Sequence, residues 1–593
     1  MKILLHFCIL AFIPLSALLL ISCDNSYDLR KDINTEINIG GKELAIPIGT
    51  TEKIVLDKML NITSESSVEI TKNGDYYITM KGDNAPTQFT TPVINIKKIE
   101  PIFDPFTFNK ITTKSIQLNR APSSINLSFN TPTPATFTIK SDIPKEVVSF
   151  SSAKFKKHPS SSSPSITLSI DFSGFPTDMK SINLTNLTFV LPDKMTYNDP
   201  EINGNILSTS EKINISGGKG TFVKVLQVYG IKLADGDKII TESDGRKSLT
   251  VDQQIDISGT VNVAPTSNNT LPDINLLRGK PSVVFTGATI KTVTGVIDID
   301  IDPINMRYKT EFPSFLTEGE TYLDLINALV VMNISNGAPA KINSKAIITS
   351  YKNNTQIDGA QLDMDISVKP GETTAPTMSN FWVSHSNKSM PQTFTWIDKD
   401  ISSILKHTPD VIKIKVEPKT TSDPCTVELG RVYELKLDYH FFVPLMLGEK
   451  LTIDYNEDLT NVQKELTDII DKIDHIILDV KTDNHIPLNM KIEPKPLDGN
   501  GNILDGITMT IDGDIKSAQK DTESTTGTKG VISNSQITIK ESRKGALKEM
   551  NTIRLRIIAS SDKSLEGIML NEKQFLSLDI KAKIKSGITI DLN

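Results

Sequence analysis

Leu576-Ser577-Leu578-Asp579-Ile580-Lys581-Ala582-Lys583-Ile584-Lys585 is the stretch whose pattern decides the fold class. Apolar Leu576, Leu578, Ile580, Ala582 and Ile584 alternate with one serine, one aspartate and three lysines. Successive side chains of a strand point to opposite faces, so this segment covers a core on one side and meets water on the other. Ser586-Gly587 then turns the chain, and Ile588, Ile590 and Leu592 alternate again. Upstream, Ile553-Arg554-Leu555-Arg556-Ile557 repeats the pattern, as does Val296 to Asp302, VIDIDID.

Turn chemistry separates such runs. Asn73-Gly74 lies between VEIT and YYITM, and this dipeptide is the strongest short hairpin signal. Asp498-Gly499-Asn500-Gly501-Asn502 and Lys352-Asn353-Asn354 stand in similar places. Many short alternating strands joined by such turns predict an all-β chain of tandem Ig-like β-sandwich domains. One segment reads differently. Leu459, Val462, Leu466, Ile469, Ile470 and Ile473 share a helical face, and Thr460 with Gln463 has capping-box spacing, so the pattern predicts one crossover helix.

At 593 residues the chain has room for about four domains of ~150 residues. Composition divides it into a segment 1–22, a tether 23–35, a small N-terminal β module 36–110, and sandwiches over 111–265, 266–424 and 425–593. The boundary at 265 comes before the linker-like APTSNNTLP, and Ser151 to Ser165 reads as a loop. A faint internal repeat joins residues 323–339 to 471–487. Both run an alternating strand into Asn-x-x-Pro, at Asn336/Pro339 and Asn484/Pro487. A second echo sets IPKEVVSF at 143–150 beside TPDVIKIK at 408–415, with proline at a strand entry.

The N-terminus carries an export signal. Lys2 precedes an apolar run from Ile3 to Ile21, broken only by His6, Pro14 and Ser16. Length alone leaves a membrane-spanning helix open. The run closes on Leu20-Ile21-Ser22-Cys23 and turns polar at Asp24, which resembles the bacterial lipobox. That resemblance implies cleavage before Cys23, acylation of its thiol and a membrane partner held through the lipid.

Further resemblance lies in IGGKELAIPIGTTEKIVLDKML, NGDYYI, YELKLDYHFFVPLMLGEKLTIDY and the ending GITIDLN. These stretches are similar to large uncharacterised cell-envelope lipoproteins of Bacteroidales bacteria, along most of the chain. The resemblance implies an outer-membrane anchor facing the cell surface or periplasm, and no catalytic residues. Acidic residues just after the cysteine favour the outer surface in that group, whereas an aspartate there favours the inner membrane in enterobacteria. Here Asp24 and Asp28 are offset by Arg30 and Lys31.

Motifs that carry chemistry are scarce. A formal net charge of −7 gives no electrostatic footprint for nucleic acid. Once Cys8 and Cys23 are set aside, Cys425 has no cysteine to pair with, and its place at a strand start suits a small half-buried residue. No HExxH and no GxSxG occurs. Gly217-Gly218-Lys219-Gly220-Thr221 lacks the serine or threonine of a phosphate loop and reads as a turn. The histidines His158, His385, His407, His440, His475 and His485 show no ligand spacing, and the last two flank one strand with solvent as their expected surroundings. No cofactor is implied.

Two weaker candidates remain. Asp498, Asn500 and Asn502 echo the alternate-oxygen spacing of a calcium loop, but Met509 stands where the bidentate glutamate belongs, and a plain hairpin explains the same residues. The row Asp298, Asp300, Asp302 reads as the wet face of a strand. Trp382 and Trp396, the two tryptophans, could form a sugar platform if exposed on one face, with core packing as the alternative. The expected function is a lipid-anchored, non-enzymatic scaffold or interaction module. Glycan binding in an uptake system, thinly supported by 6% aromatics, and an enzyme with a scattered site are the alternatives.

Overall fold

The computed structural model describes residues 36–39, 44–50, 53–57, 62, 66–83, 86–110, 124–157, 164–233, 239–241, 246–266, 271–317, 319–372, 375–460, 475–584 and 588–591. Cys23, His158 and most of the segment read as a helix lie outside them. Among the described residues strands dominate, and α-helix is limited to single turns such as Ser314–Thr317 and Ala546–Glu549. Leu459 and Thr460, expected in a crossover helix, instead end the strand Thr452–Thr460, where Leu459 faces Ile553 across an antiparallel pair.

The strands build three sandwiches with a shared plan. In the second, the seven strands in chain order are Ile304–Lys309, Leu329–Asn336, Ile342–Lys352, Thr355–Val368, Thr377–Ser384, Val411–Thr420 and Val432–Pro444. The first, sixth, third and fourth lie side by side in one sheet, and the fifth, second and seventh in the other. The first sandwich has the same order, with Ile125–Asn130, Lys247–Val263, Ser181–Val190 and Ile206–Asn214 facing Gly220–Lys232, Val147–Phe155 and Ala288–Ile297. It adds Ser165–Ser173 and Arg278–Phe285 beyond the fifth strand. The third repeats the plan in Thr452–Thr460, Thr552–Ser560 and Asn489–Leu497 against Val531–Glu541, His475–Asn484 and Phe575–Ile584. Its fourth strand, Ile507–Asp512, has crossed to pair with the fifth.

Strand pairing runs across the composition boundaries. Arg278–Phe285 and Ala288–Ile297 follow the APTSNNTLP segment, yet they pair with Ser165–Ser173 and Val147–Phe155 before it. The N-terminal part pairs chiefly with distant strands. Each seventh strand has an edge turned away from the second strand, and this segment fills all three edges. Leu44–Thr50 lies on Phe575–Ile584, Tyr76–Asp83 on Val432–Pro444, and Asn95–Ile96 on Ala288–Ile297. The chain thus visits the third sandwich first and the first sandwich last. Such backbone pairing closes edges that would otherwise template association. Ile588–Asp591 pairs with Glu36–Ile39, bringing the two ends of the described chain together.

Phe106 shows how the strap is fastened. Its ring is fully buried and stacks on Phe129 at 4.4 Å, with Phe108 and Phe172 edge-on or tilted around them. Its backbone exchanges hydrogen bonds with Gly279 (2.9 and 3.0 Å). A Cβ at Gly279 would lie 2.1 Å from the Phe106 ring, so only glycine admits this approach. Burying such a ring contributes ~1.5–3 kcal/mol.

The sequence echo has a structural basis. Asn336 is fully buried. Its Nδ2 donates to the Ala340 and Lys369 carbonyls (3.0 and 2.9 Å), and its Oδ1 accepts from the Ala338 N–H (2.9 Å). Asn484, equally buried, donates to Leu488 and Lys516 (3.3 and 2.9 Å) and accepts from Ile486 (2.9 Å). The Lys369 and Lys516 N–H groups donate to Ser379 and Ser533, each at 2.9 Å. Each amide satisfies three backbone groups where the second strand turns into the third, groups that would be costly to bury unpaired.

Candidate binding faces of the second sandwich

Strand alternation sorts Thr377–Ser384 cleanly. Ser379, Phe381 and Val383 point into the core, at 4% exposure or less. Met378, Asn380 and Trp382 therefore point out. Thr395–Asp398 lies beside this strand in parallel, with Trp396 directly opposite Trp382. The two indoles, fourteen residues apart in sequence, are neighbours on one outer sheet face. Trp396 is 39% exposed and Trp382 half-buried. Each Nε1 donates to a backbone carbonyl, Trp382 to Ser386 (3.4 Å) and Trp396 to Ser384 (3.0 Å). Phe394 stands edge-on to Trp382 at 6.0 Å. With their N–H groups engaged, the rings can recognise a partner only by stacking and apolar contact.

The same row continues through Val331, His440 and Lys81 on successive strands. Phe442 and Tyr77 lie nearby, with ring centroids 4.7 Å apart. Sequence reading passed over Tyr77 and Phe442. Their signal was present: in YYITM, Tyr76, Ile78 and Met80 are buried, which leaves Tyr77 outward, and in HFFVP the buried Phe441 leaves His440 and Phe442 outward. The Tyr77 hydroxyl donates to Glu69 (2.6 Å), which pushes its pKa up to about 12 and keeps it neutral. Thr79 Oγ1 lies 3.0 Å from His440 Nε2.

The opposite sheet of this sandwich carries a cleft of about 280 Å³ at one end, lined by Arg307, Lys309, Tyr351, Asn353, Asn354, Asp410 and Val411. Asn353 and Asn354 form a two-residue turn with φ of 51° and 62°, the left-handed pair that a tight hairpin requires.

Other candidates fall in plain settings. Asp498 Oδ1 accepts from the N–H groups of Asn500 (2.8 Å) and Asn502 (2.9 Å), and Oδ2 from Asn502 Nδ2 (3.3 Å). These bonds hold its carboxyl below the usual carboxylate range, led by the Asn502 N–H. The carboxylate is thus committed within its own turn, and Asn500 and Asn502 offer it donors. Among the described residues no three His, Cys, Asp or Glu side chains gather as metal ligands would. Ile299 and Ile301 are buried between exposed Asp298, Asp300 and Asp302. Cys425 is half-buried, and burial raises its thiol pKa. His475 and His485 depart from expectation. The His485 ring stacks on Phe575 at 4.2 Å, and His475 Nε2 is shut off from solvent with no partner among the described residues. The partner of His485 stands on Phe575–Ile584, a strand that alternation within His475–Asn484 does not reveal.

Among the described residues no helix is long and apolar enough to cross a membrane. No family model and no curated protein matches the chain. Solved structures similar to parts of it include a Parabacteroides distasonis protein thought to be secreted, at 14% identity and TM-score 0.33, covering 50% of this chain and 90% of that one. Another is the T=1 particle of infectious bursal virus, at 9% identity and TM-score 0.14, covering 87% of this chain and 83% of that one. Likenesses this slight carry no argument about fold or function.

Proposed function

We propose that this chain is a lipid-tethered, non-enzymatic scaffold of the cell envelope, held by Cys23 with its third sandwich nearest the membrane. The observation that carries the reading is the pairing of Glu36–Ile39 with Ile588–Asp591 and of Leu44–Thr50 with Phe575–Ile584. Residues 23–35 reach at most ~45 Å when extended. An anchor at Cys23 therefore keeps the third sandwich close, and the strap leads away from it toward the first. Three sandwiches threaded by one strap, with Cys425–Glu428 paired to Ala288–Ile297 of the first and bridges such as Tyr322–Thr452 and Leu325–Leu447 between the second and third, suit a spacer that presents a surface, since independent motion would break these backbone hydrogen bonds. The test is expression of the full chain in a host that processes lipoproteins, followed by mass spectrometry and fractionation. The expected mature N-terminus is acylated Cys23, and Cys23→Ser leaves the membrane fraction. Retention of Met1 without fatty acyl groups overturns the proposal.

A second reading has its own support. The adjacency of Trp382 and Trp396 on one outer face suits stacking on a neutral glycan chain. Affinity electrophoresis of wild type and Trp396→Ala through gels containing a panel of neutral polysaccharides tests it. Retardation by one glycan, lost in the variant, supports the reading. Equal mobility of both proteins in every gel removes it.

A further inference from the structure

We propose that the cleft at the Asn353-Asn354 turn of the second sandwich binds a small oxyanion, the carboxylate of an acidic sugar or a sulfate or phosphate ester. It lies on the sheet opposite the tryptophans and depends on neither the tether nor the aromatic face. The argument begins with charge along Ile304–Lys309 and its neighbour Val411–Thr420. Arg307 sits directly opposite Lys413, a like-charge pair that costs stability in an antiparallel sheet. Further down the same face such charges are neutralised: Lys415 pairs with Glu417 at 2.6 Å and Lys345 with Asp363 at 3.1 Å. At the cleft the compensation stops. Among the described residues no carboxylate pairs with Arg307 or Lys413. Lys309 reaches Glu311 only at 3.8 Å, with both side chains half exposed or more, a pair that contributes little.

One of these cations is held in place by an aromatic ring. Lys413 Nζ rests 3.9 Å from the centre of the Tyr351 ring, so its charge is fixed at the rim. Asp410 is the one acidic group of the lining, and its Oδ2 accepts from the Asn353 N–H at 2.6 Å, which commits it to the turn. Arg307 makes no ion pair with it or with any other carboxylate among the described residues, and its fork suits a planar or tetrahedral oxyanion. At about 280 Å³ the cleft lies just below the range that accepts drug-sized ligands. It suits one sugar unit or one ester group, not a length of polymer in depth.

Calorimetric titration of the purified full chain with glucuronate, inorganic sulfate, inorganic phosphate and neutral glucose tests the proposal, at low and at physiological ionic strength. At least one oxyanion saturates a single site, glucose does not, and added salt weakens the binding. Tighter binding of glucuronate assigns the site to sugar acids, and tighter binding of sulfate or phosphate assigns it to esters. Arg307→Gln and Lys413→Gln each weaken binding by about tenfold, while Arg307→Lys restores part of it and Lys495→Gln on the third sandwich changes nothing. Arg307 is exposed on a sheet face, so the variants keep the fold, and an unchanged circular dichroism melt checks this. No saturable binding of any oxyanion, equal binding in Arg307→Gln, or binding of glucose as tight as that of glucuronate overturns the proposal.

Discussion

Replacing Asn336 by leucine tests the hydrogen-bonded corner that the second and third sandwiches share. Leucine nearly matches asparagine in volume and excludes water, so the three backbone groups served by the amide lose their partner without replacement. The bonds to Ala340 and Ala338 are buried, and the bond to Lys369 is partly so. A buried group left unsatisfied costs ~1–3 kcal/mol. Two such groups and one partly exposed group amount to about 4 kcal/mol. For a sandwich of this size that lowers the melting temperature by roughly 8–16 °C. The three sandwiches share one core cluster, so one whole-chain melt does not isolate the effect. Amide hydrogen exchange read peptide by peptide does: protection should fall across Leu329–Asn336 and Ile342–Lys352 and stay unchanged in Ser181–Val190. Asn484→Leu should move the same loss to His475–Asn484, somewhat smaller because its bond to Leu488 is longer (3.3 Å). A cost below about 1 kcal/mol in both variants would refute the view that these amides hold the corner.

Gly279→Ala forces the Phe106 ring from its seat and should cost about 3 kcal/mol, seen as lost exchange protection in Arg278–Phe285; full protection in the variant contradicts the strap's role there. Asp454 accepts two hydrogen bonds from Arg556 (3.1 and 2.6 Å), which hold its carboxyl below the usual range against the opposing effect of burial. A carboxyl depressed in the folded state lends stability above its unfolded value of ~3.9, and this is lost as pH falls through the folded value. The third sandwich should therefore weaken below about pH 4, and Asp454→Asn should flatten that acid slope; an identical slope in the variant rules the pair out. Cys425, half-buried with its thiol pKa raised by burial, should react with iodoacetamide at least ~10-fold more slowly in the native chain than in denaturant, and equal rates would contradict its placement.

The candidate faces were legible in part. Alternation in SNFWVSHSN fixes Trp382 as outward once Phe381 is inward, but no local pattern says that Trp396 returns in parallel to lie opposite it. That neighbour arises from the 385–394 connection, which brings the chain back to the same end of the sheet. The cleft was illegible for a related reason: Arg307 and Lys413 are ordinary exposed cations in sequence, and their opposition exists only once two strands distant in sequence are set in register. Asp498 illustrates the converse. Its spacing resembled a cation loop, while the short range of its own turn directs loop donors to its oxygens.

The sequence by itself determined the alternation that buries one face of strands such as Leu576 to Ile584, the hairpin turns at Asn73-Gly74 and Asn353-Asn354, and a faint echo between Asn336 and Asn484. These follow from short-range rules: side chains alternate every residue, and turn residues tolerate left-handed backbone. Tertiary structure alone decided which strand lies beside which. Leu576 to Ile584 reads as a half-buried strand whether its partner is the next segment or one at Leu44–Thr50, because edge pairing is made by backbone groups that every residue carries. The N-terminal strap, the pairing of Glu36–Ile39 with Ile588–Asp591 and the like-charge pair at the cleft all depend on that long-range choice.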